Sequence, residues 1–236
     1  MSTALLWGLL GLLMGPFLNH LADRLPRHQA VSSPPACAFC GQAYPPGQWP
    51  ALLAVSVGNG HCRGCGNALP ARRWLLEIGL ALLYGALAWR HGLSWQLLLA
   101  TGHASILALV TVTDLESRIV PNAAVLPAMI LTTLIGALTC PRCTPSALLG
   151  GGIGFLLFLL LAIIYPGGLG FGDVKLAGYI GLIAGYPRVL PALAVGILAG
   201  GIGAAILLLS GKGHRRSYMP YAPFLAIGGI LALFSL

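Results

Sequence analysis

The residues best suited to chemistry in this chain are its acids, because they are scarce. The 236 residues include only five Asp and Glu side chains. Two of them, Asp114 and Asp173, stand at the ends of apolar runs. An acid beside a membrane span is costly if it stays ionised and unpaired, so both are candidate functional residues. Two carboxyls that share one proton can activate water with one group while the other polarises a carbonyl. The pair therefore predicts the acid–base chemistry of a membrane aspartyl protease.

The surroundings of Asp173 allow a second interpretation. Gly170 and Gly172 stand just before it, and glycines there let the backbone bend tightly and let another chain approach closely. A glycine-rich turn in which Asp173 only caps the following helix would have the same sequence. Asp114 favours the catalytic interpretation, because it gives a second acid at the edge of a non-adjacent span.

The composition indicates an integral membrane protein. Apolar residues make up 57% of the chain and charged residues only 8%, with a mean hydropathy of +0.87. The core of a soluble domain occupies only part of its chain, whereas repeated apolar runs of about 17–25 residues are typical of transmembrane helices. The net charge of +8 does not indicate nucleic-acid binding, because no basic run is interleaved with aromatic residues. We predict an all-α polytopic membrane protein with about eight transmembrane helices, at residues 5–21, 74–89, 95–113, 123–138, 147–165, 174–186, 189–210 and 221–236.

The Lys and Arg residues set the expected orientation, since cytoplasmic loops are enriched in them. With eight spans, ten of the 13 basic residues fall in loops on one side and three on the other. The basic side is therefore predicted to be cytoplasmic, and both Asp114 and Asp173 fall on it. The expected domains are a first helix at 1–21, a cytoplasmic loop at 22–73 and a seven-helix protease core at 74–236.

Four cysteines in the large loop predict a metal site. They form two C-x-x-C pairs, each followed by glycine, with 21 residues between the pairs. Each pair can bend into a knuckle that offers two thiolates, and two knuckles complete a tetrahedral, zinc-ribbon-like site. Two structural or redox pairs without metal are the alternative. The four residues are Cys37, Cys40, Cys62 and Cys65.

Two further polar features carry expectations about structure. A third pair, Cys140 and Cys143, falls on the outer side by the same topology, where a disulfide is permitted, and we expect it to be structural. Glu77, near the start of the second span, is expected to pair with Arg73 one helical turn earlier.

Taken together, these residues resemble the type IV prepilin leader peptidases, membrane aspartyl proteases of bacterial pilus and type II secretion systems. The resemblance runs nearly from end to end of the chain. Asp114 with Pro121-Asn122 resembles the first catalytic-aspartate motif, and the run from Gly170 to Lys175 resembles the second, the GxGD motif. The paired C-x-x-C loop is similar to the family's zinc-binding loop, and residues 220–226 are similar to its final-span signature.

The resemblance implies a bifunctional enzyme of the bacterial inner membrane. It would cleave the basic leader of prepilins or pseudopilins at the cytoplasmic face, with Asp114 and Asp173 as the catalytic pair. Gly170, Gly172 and Lys175 would lie where the substrate backbone approaches. The enzyme would then methylate the new amino terminus with S-adenosylmethionine, and the four loop cysteines would bind zinc. The implied partners are the prepilin substrate and the lipid bilayer, and no nucleic acid.

Other classes of function remain open at this point. A transporter or channel could use an acidic pair to relay protons, and a zinc-bearing scaffold would need no catalysis. Both aspartates at one membrane edge, on the same side as the cysteine loop, argue against the transporter, whose ion sites lie near the middle of the bilayer.

Overall fold

The computed structural model describes residues 2–165, 169–210 and 220–235. Within these ranges the regular structure is helical, which confirms the predicted all-α class; two isolated β-bridges occur in the cysteine loop. Short 3-10 helices cover Leu25–Arg27 and Pro46–Gln48. The α-helices are α1 (Ser2–Arg24), α2 (Ala51–Ser56), α3 (Ala71–His91), α4 (Trp95–Ser117), α5 (Asn122–Thr139), α6 (Thr144–Ile164), α7 (Phe171–Ala184), α8 (Val189–Leu209) and α9 (Ala222–Leu233).

Eight of these helices lie where the sequence predicted spans. Five of them, α1, α4, α5, α6 and α8, are long and apolar enough to cross a membrane, so the chain is a multi-pass membrane protein. The shortest of the others, α7 and α9, have 14 and 12 residues. At a rise of about 1.5 Å per residue they extend to roughly 20 Å, less than the ~30 Å hydrocarbon core. The count of eight crossings therefore stays a prediction.

The chain forms two compact units, of which the first is Met1–Leu109. In it α1 packs along α3, and small residues make the contact close. A Cβ added to Gly11 would come within 2.5 Å of the Leu80 carbonyl oxygen, and the Glu77 side chain occupies the space beside Gly15. This approach brings Asp23, near the end of α1, to the first turn of α3. The cysteine loop lies between these two helices in the sequence.

The second unit, Val110–Leu236, is organised around α7. This helix packs against α5, α6, α8 and α9, and 11 of its 14 residues are buried. A helix that is apolar on all sides is expected in the interior of a bundle. The backbones of α6 and α7 touch at Gly150 and Gly181, where a Cβ added to Gly150 would lie 2.5 Å from the Gly181 carbonyl oxygen. The burial of α7 carries Asp173, near its first residue, into the interior of this unit.

Candidate active site and metal centre

Asp114 lies one turn before the end of α4, and only 6% of the residue is exposed. Its Oδ2 accepts a hydrogen bond of 3.0 Å from the backbone N–H of Ala222, the first residue of α9. The guanidinium of Arg118, which follows α4, lies within electrostatic range of the carboxylate. Asp114 is thus held by a helix more than 100 residues away in the sequence.

Asp173 is the third residue of α7 and is 8% exposed. Its Oδ2 accepts a hydrogen bond of 3.2 Å from the N–H of Gly170, and its own N–H donates to the Gly170 carbonyl oxygen at 3.0 Å. The capping interpretation is therefore right for one carboxylate oxygen. It does not account for the second acid, since Asp114 and Asp173 also lie within electrostatic range of each other.

The second unit thus brings together two buried carboxyls from α4 and α7 with the first turn of α9. Burying two carboxyls within electrostatic range of each other opposes folding, because each charge loses hydration and repels the other. If the pair holds one proton between its two groups, that repulsion is relieved. The shared proton also leaves one group able to accept a proton from water and the other able to donate one.

The three residues expected near the substrate backbone have different surroundings. Gly170 is exposed at the entrance of α7. Gly172 is packed against Val120, whose Cβ would lie 2.8 Å from an added Cβ. The Lys175 ammonium donates a hydrogen bond of 2.5 Å to the Asn122 side-chain oxygen, which joins α7 to the start of α5.

Tyr221 and Ala222 are the part of this site that sequence reasoning missed. Ala222 contributes only its backbone N–H, and Tyr221 lies within electrostatic range of Asp173. The sequence analysis matched residues 220–226 to a family motif without assigning a role to any of them. A backbone N–H donor cannot be recognised from the type of side chain at its position.

The four loop cysteines meet at one point in the first unit. Their Sγ atoms all lie within 4.8 Å of one another. The Sγ–Sγ distance is 3.7 Å for Cys37 and Cys65 and also 3.7 Å for Cys40 and Cys62. Zinc–sulfur bonds of about 2.3 Å in a tetrahedron give an edge of about 3.8 Å. The four cysteines can therefore hold a tetrahedral metal ion.

The backbone of each knuckle explains this geometry. Gly41 and Gly66 both have φ of +73°, in the left-handed region that glycine adopts without strain. In the first knuckle the Cys37 N–H donates to the Gln42 carbonyl oxygen and the Gly41 N–H to the Cys37 carbonyl oxygen, both at 2.9 Å. The second knuckle repeats these two bonds with Cys62, Asn67 and Gly66 at 2.8 and 2.9 Å.

The same backbone favours thiolates at part of the cluster. Burial alone would raise the pKa of the Cys37 thiol, but hydrogen bonds from the backbone of Cys40 and Phe39 lower it to about 6. Backbone hydrogen bonds within its own knuckle also lower the pKa of Cys62. For Cys40 a backbone hydrogen bond lowers the pKa, yet desolvation and the neighbouring thiols raise it to about 11. Thiols this close cannot all ionise unless a cation offsets their repulsion.

The cysteine loop is attached to the first turns of α3. The Glu77 carboxylate accepts hydrogen bonds of 2.8 Å from the N–H groups of both Ala51 and Leu52, the first two residues of α2. Arg73 donates to Asp23 at 2.8 Å, and Arg72 also pairs with Asp23. Arg73 lies within electrostatic range of Glu77, as expected, but the hydrogen bonds of both side chains go to other segments.

Arg73 is also linked to the four cysteines through Tyr44. Its guanidinium lies 4.7 Å from the centre of the Tyr44 ring, a cation–π contact. The Tyr44 hydroxyl in turn interacts with the Cys37 sulfur. The third C-x-x-C pair stands apart from this cluster: Cys140 and Cys143 form a disulfide in the link between α5 and α6, as its structural interpretation expected.

Comparison with known proteins identifies the family. The model of the type IV leader peptidase family matches residues 102–205, and that of the bacterial peptidase A24 N-terminal domain matches residues 9–91. A prepilin leader peptidase/N-methyltransferase of Bacillus subtilis (strain 168) is 32% identical over 226 residues, which cover 94% of this chain and 90% of that relative. The chain belongs to the type IV leader peptidase family.

Other members of the type IV leader peptidase family match over a similar extent. Prepilin leader peptidase/N-methyltransferases of Pseudomonas aeruginosa and Pseudomonas putida are 29% and 28% identical, and each comparison covers 95% of this chain and 88% of the relative. No solved structure matches the chain. The peptidase model spans both Asp114 and Asp173, and the N-terminal model spans the four loop cysteines.

Proposed function

We propose that this member of the family is a membrane aspartyl endopeptidase with Asp114 and Asp173 as its catalytic pair. The observation that carries the proposal is the burial of two carboxyls within electrostatic range of each other, in a chain with only five acids. Such a pair lowers stability, so a role in chemistry accounts for it better than a role in folding.

The reaction follows from the shared proton. One carboxylate accepts a proton from a water molecule, whose oxygen attacks the carbonyl carbon of the scissile peptide bond. The protonated partner donates its proton to the carbonyl oxygen as negative charge develops there. Collapse of the tetrahedral intermediate breaks the C–N bond: the leaving amine takes the proton that the first carboxylate accepted from water, and a hydroxyl of the intermediate returns a proton to the second carboxylate. The two acids titrate as a pair, so the roles belong to the pair and not to fixed residues.

The names of the relatives support the substrate class that we propose, and the distribution of basic residues supports the proposed face of the membrane. The substrate is the leader of a prepilin or pseudopilin, cleaved at the cytoplasmic face of the bacterial inner membrane. The exposed Gly170 gives the leader backbone a place to approach the acids, and the Lys175–Asn122 bond holds the starts of α7 and α5 together there. The amino terminus made by cleavage is then methylated, with S-adenosylmethionine as the methyl donor.

Zinc is the metal that best suits the four loop cysteines. A site of four thiolates with no free position is typical of structural zinc and leaves no place for substrate. Cys37, Cys40, Cys62 and Cys65 would therefore hold the loop together. A loop with so small a core needs such a link, since metal binding contributes directly to its folding free energy.

The proposal is tested with purified, detergent-solubilised protein and a prepilin, by mass spectrometry of the product's amino terminus. Asp114→Asn and Asp173→Asn should each lower the cleavage rate by about 10³-fold or more, because an amide can neither share nor transfer the proton. Glu116→Gln, an exposed acid on the same helix as Asp114, is the matched control and should cleave at the wild-type rate. Full cleavage by either aspartate variant would remove that residue from the mechanism.

The same assay separates the alternative functions. A proton-relaying transporter or a zinc-bearing scaffold would leave the prepilin intact with the wild-type protein. Adding S-adenosylmethionine tests the second activity: a product heavier by one methyl group at its amino terminus supports it, and an unmodified product under the same conditions argues for cleavage alone.

A further inference from the structure

The first turn of α9 is the only neighbour seen to donate a hydrogen bond to Asp114 from another helix within the described residues. The donor is the N–H of Ala222, 3.0 Å from Oδ2, and Ala222 is fully buried. The bond fixes one oxygen of the carboxylate and therefore the direction of the other. Its geometry depends on where the start of α9 lies, because a backbone donor cannot adjust by changing rotamer.

The Tyr221 ring holds that start in place. It packs against Phe158 of α6, which is fully buried, with ring centroids 6.2 Å apart, and against Phe224 at 6.4 Å. Its edge also fills the space beside Gly200 of α8, where an added Cβ would lie 2.4 Å from one ring carbon and 3.0 Å from the next. The ring is thus wedged between α6 and α8, one residue before the donor to Asp114.

We propose that Tyr221 and Gly200 are positioning residues of the active site, an inference that rests on the proposed function. The ring, seated against Gly200, sets the position of the Ala222 N–H, and that N–H sets the orientation of Asp114. Neither Gly200 nor the Tyr221 ring needs to touch the substrate for this. Tyr221 also lies within electrostatic range of Asp173, but the proposal rests on the packing of its ring.

The physical basis is the sensitivity of catalysis to small displacements. A misplacement of about 1 Å at a reacting group can lower the rate by about 100-fold while substrate binding is little changed. A change at Gly200 should therefore lower kcat and leave KM near the wild-type value, since the binding surface is not altered. Replacing a residue that only stabilises the bundle would change the thermal midpoint and would not lower kcat selectively while KM stays unchanged.

The closing experiment uses two neighbouring glycines on α8 in the full-length protein. Gly200→Ala places a methyl against the Tyr221 ring, whereas Gly201→Ala meets nothing within 4 Å and brings the same change in helix propensity. We expect Gly200→Ala to lower kcat for prepilin cleavage by between about 10- and 100-fold with KM within about two-fold of wild type, and Gly201→Ala to match wild type. Equal kcat values for the two variants would overturn the proposal.

A second pair of variants decides the matter if Gly200→Ala does not fold. Tyr221→Ala removes the wedge and should lower kcat as Gly200→Ala does, whereas Tyr221→Phe keeps the ring and should retain the wild-type kcat. Wild-type activity in Tyr221→Ala, or equal losses in both Tyr221 variants, would overturn the proposal. If wild type and Gly201→Ala cleave no prepilin, the proposed function fails and this inference falls with it. If both proteins cleave prepilin and only the Gly200 and Tyr221 variants differ from the expected results, the proposed function stands and the positioning role is overturned.

Discussion

At the scale of single residues, the two glycines before Asp173 have different reasons to be glycine. Gly172 sits against Val120, and a Cβ there would lie 2.8 Å from the valine side chain. Gly170 is exposed, and a Cβ there would make only an ordinary contact of 3.6 Å with the Asp173 carboxylate. Packing therefore accounts for Gly172, while Gly170 keeps the open surface that a substrate backbone would need.

Gly172→Ala is expected to destabilise the protein. Adding a methyl to a filled site typically costs about 1–3 kcal/mol, which outweighs the gain in helix propensity. The measurement is the thermal midpoint in detergent, with Gly152→Ala as control because nothing lies within 4 Å of its added Cβ. Val120→Ala should restore part of the lost stability in the double variant. A Gly172→Ala midpoint equal to that of the control would contradict this packing explanation.

Gly170→Ala is expected to fold normally and to bind substrate less well. Its φ of −85° is one that alanine adopts freely, and the added methyl has room. If the leader backbone passes close to this position, KM for a prepilin should rise by about 10-fold with an unchanged thermal midpoint. Steady-state cleavage over a range of prepilin concentrations checks this. An unchanged KM would remove Gly170 from the substrate path.

The types of residue in the sequence made the acids and the cysteines of the candidate sites predictable, but not the backbone group that contacts Asp114. Asp114 and Asp173 are conspicuous because charge is so scarce in this chain, and the cysteines because their spacing matches a metal knuckle. The donor to Asp114 could not be predicted, since it is a backbone N–H that packing brings in from 108 positions along the chain. The attraction between Glu77 and Arg73 was predictable from their spacing, but their hydrogen bonds to distant segments were not.

At the scale of elements, α2 shows how a short segment is kept in place. It has only six residues, too few for a helix that is stable by itself. Pro50 before it offers no side-chain cap, and the Glu77 carboxylate supplies the missing acceptors from α3. The residue that anchors the loop therefore lies in α3, outside the loop that contains the four cysteines.

Glu77→Ala is expected to loosen the loop even with metal present. It leaves the N–H groups of Ala51 and Leu52 without their acceptors, which costs about 1–3 kcal/mol at the buried Ala51 donor and less at the half-buried Leu52 donor. Limited proteolysis of residues 22–73 should be faster than in wild type. Glu77→Gln keeps one acceptor oxygen and should be intermediate, whereas Ser56→Ala, at an exposed hydroxyl at the end of α2, should resemble wild type. A wild-type cleavage pattern in Glu77→Ala would show that the metal alone anchors the loop.

The metal itself should be zinc, at about one ion per chain. Cys37→Ser and Cys62→Ser each remove one of four ligands, so both should lower the bound zinc and increase proteolysis of the loop. The double variant Cys140→Ser, Cys143→Ser removes two cysteines that form a disulfide in another unit, so its zinc content should equal that of wild type. Elemental analysis of protein purified without chelator is the measurement. Absence of zinc from the wild-type protein would contradict the assignment.

The positions of the helices along the chain were predictable from apolar runs, but whether each helix crosses the whole bilayer was not. The run that gives α7 is apolar because the helix is buried by four others, and burial and membrane insertion select the same residues. With 14 and 12 residues, α7 and α9 are short for full crossings. Sequence periodicity could not reveal this, since it reports the environment of a side chain and not the depth of the helix.

Over the full chain, each of the two compact units contains most of the residues that one of the two family models matches. The first unit, Met1–Leu109, holds the cysteine loop with α1 and α3, and the second, Val110–Leu236, holds both aspartates. The N-terminal and peptidase models match 9–91 and 102–205, respectively. The sequence analysis predicted residues 74–236 as one core, because composition distinguishes the polar loop from the apolar helices but does not show that α1 packs on α3. That division stays a prediction.

The orientation of the chain in the membrane decides whether the proposed site faces its substrate. Ten of 13 basic residues fall on one side in the eight-span arrangement, and a basic residue is held on the cytoplasmic side during insertion. The link between α3 and α4 should then be outside the cell membrane, and the link between α4 and α5, next to Asp114, inside. Leu93 and Ser117 are exposed residues in or beside these links.

Single cysteines at these two positions test the arrangement in intact cells. A membrane-impermeant maleimide should label Leu93→Cys directly and Ser117→Cys only after permeabilisation. In intact cells the native thiols interfere little, because Cys140 and Cys143 are joined in a disulfide and the other four belong to the loop expected inside. After permeabilisation, the wild-type protein gives the background labelling of the loop thiols, which is subtracted. Labelling of Ser117→Cys in intact cells would place Asp114 on the outer face. The acids would then be separated from a basic leader that is retained in the cytoplasm, and cleavage at this site could not occur as proposed.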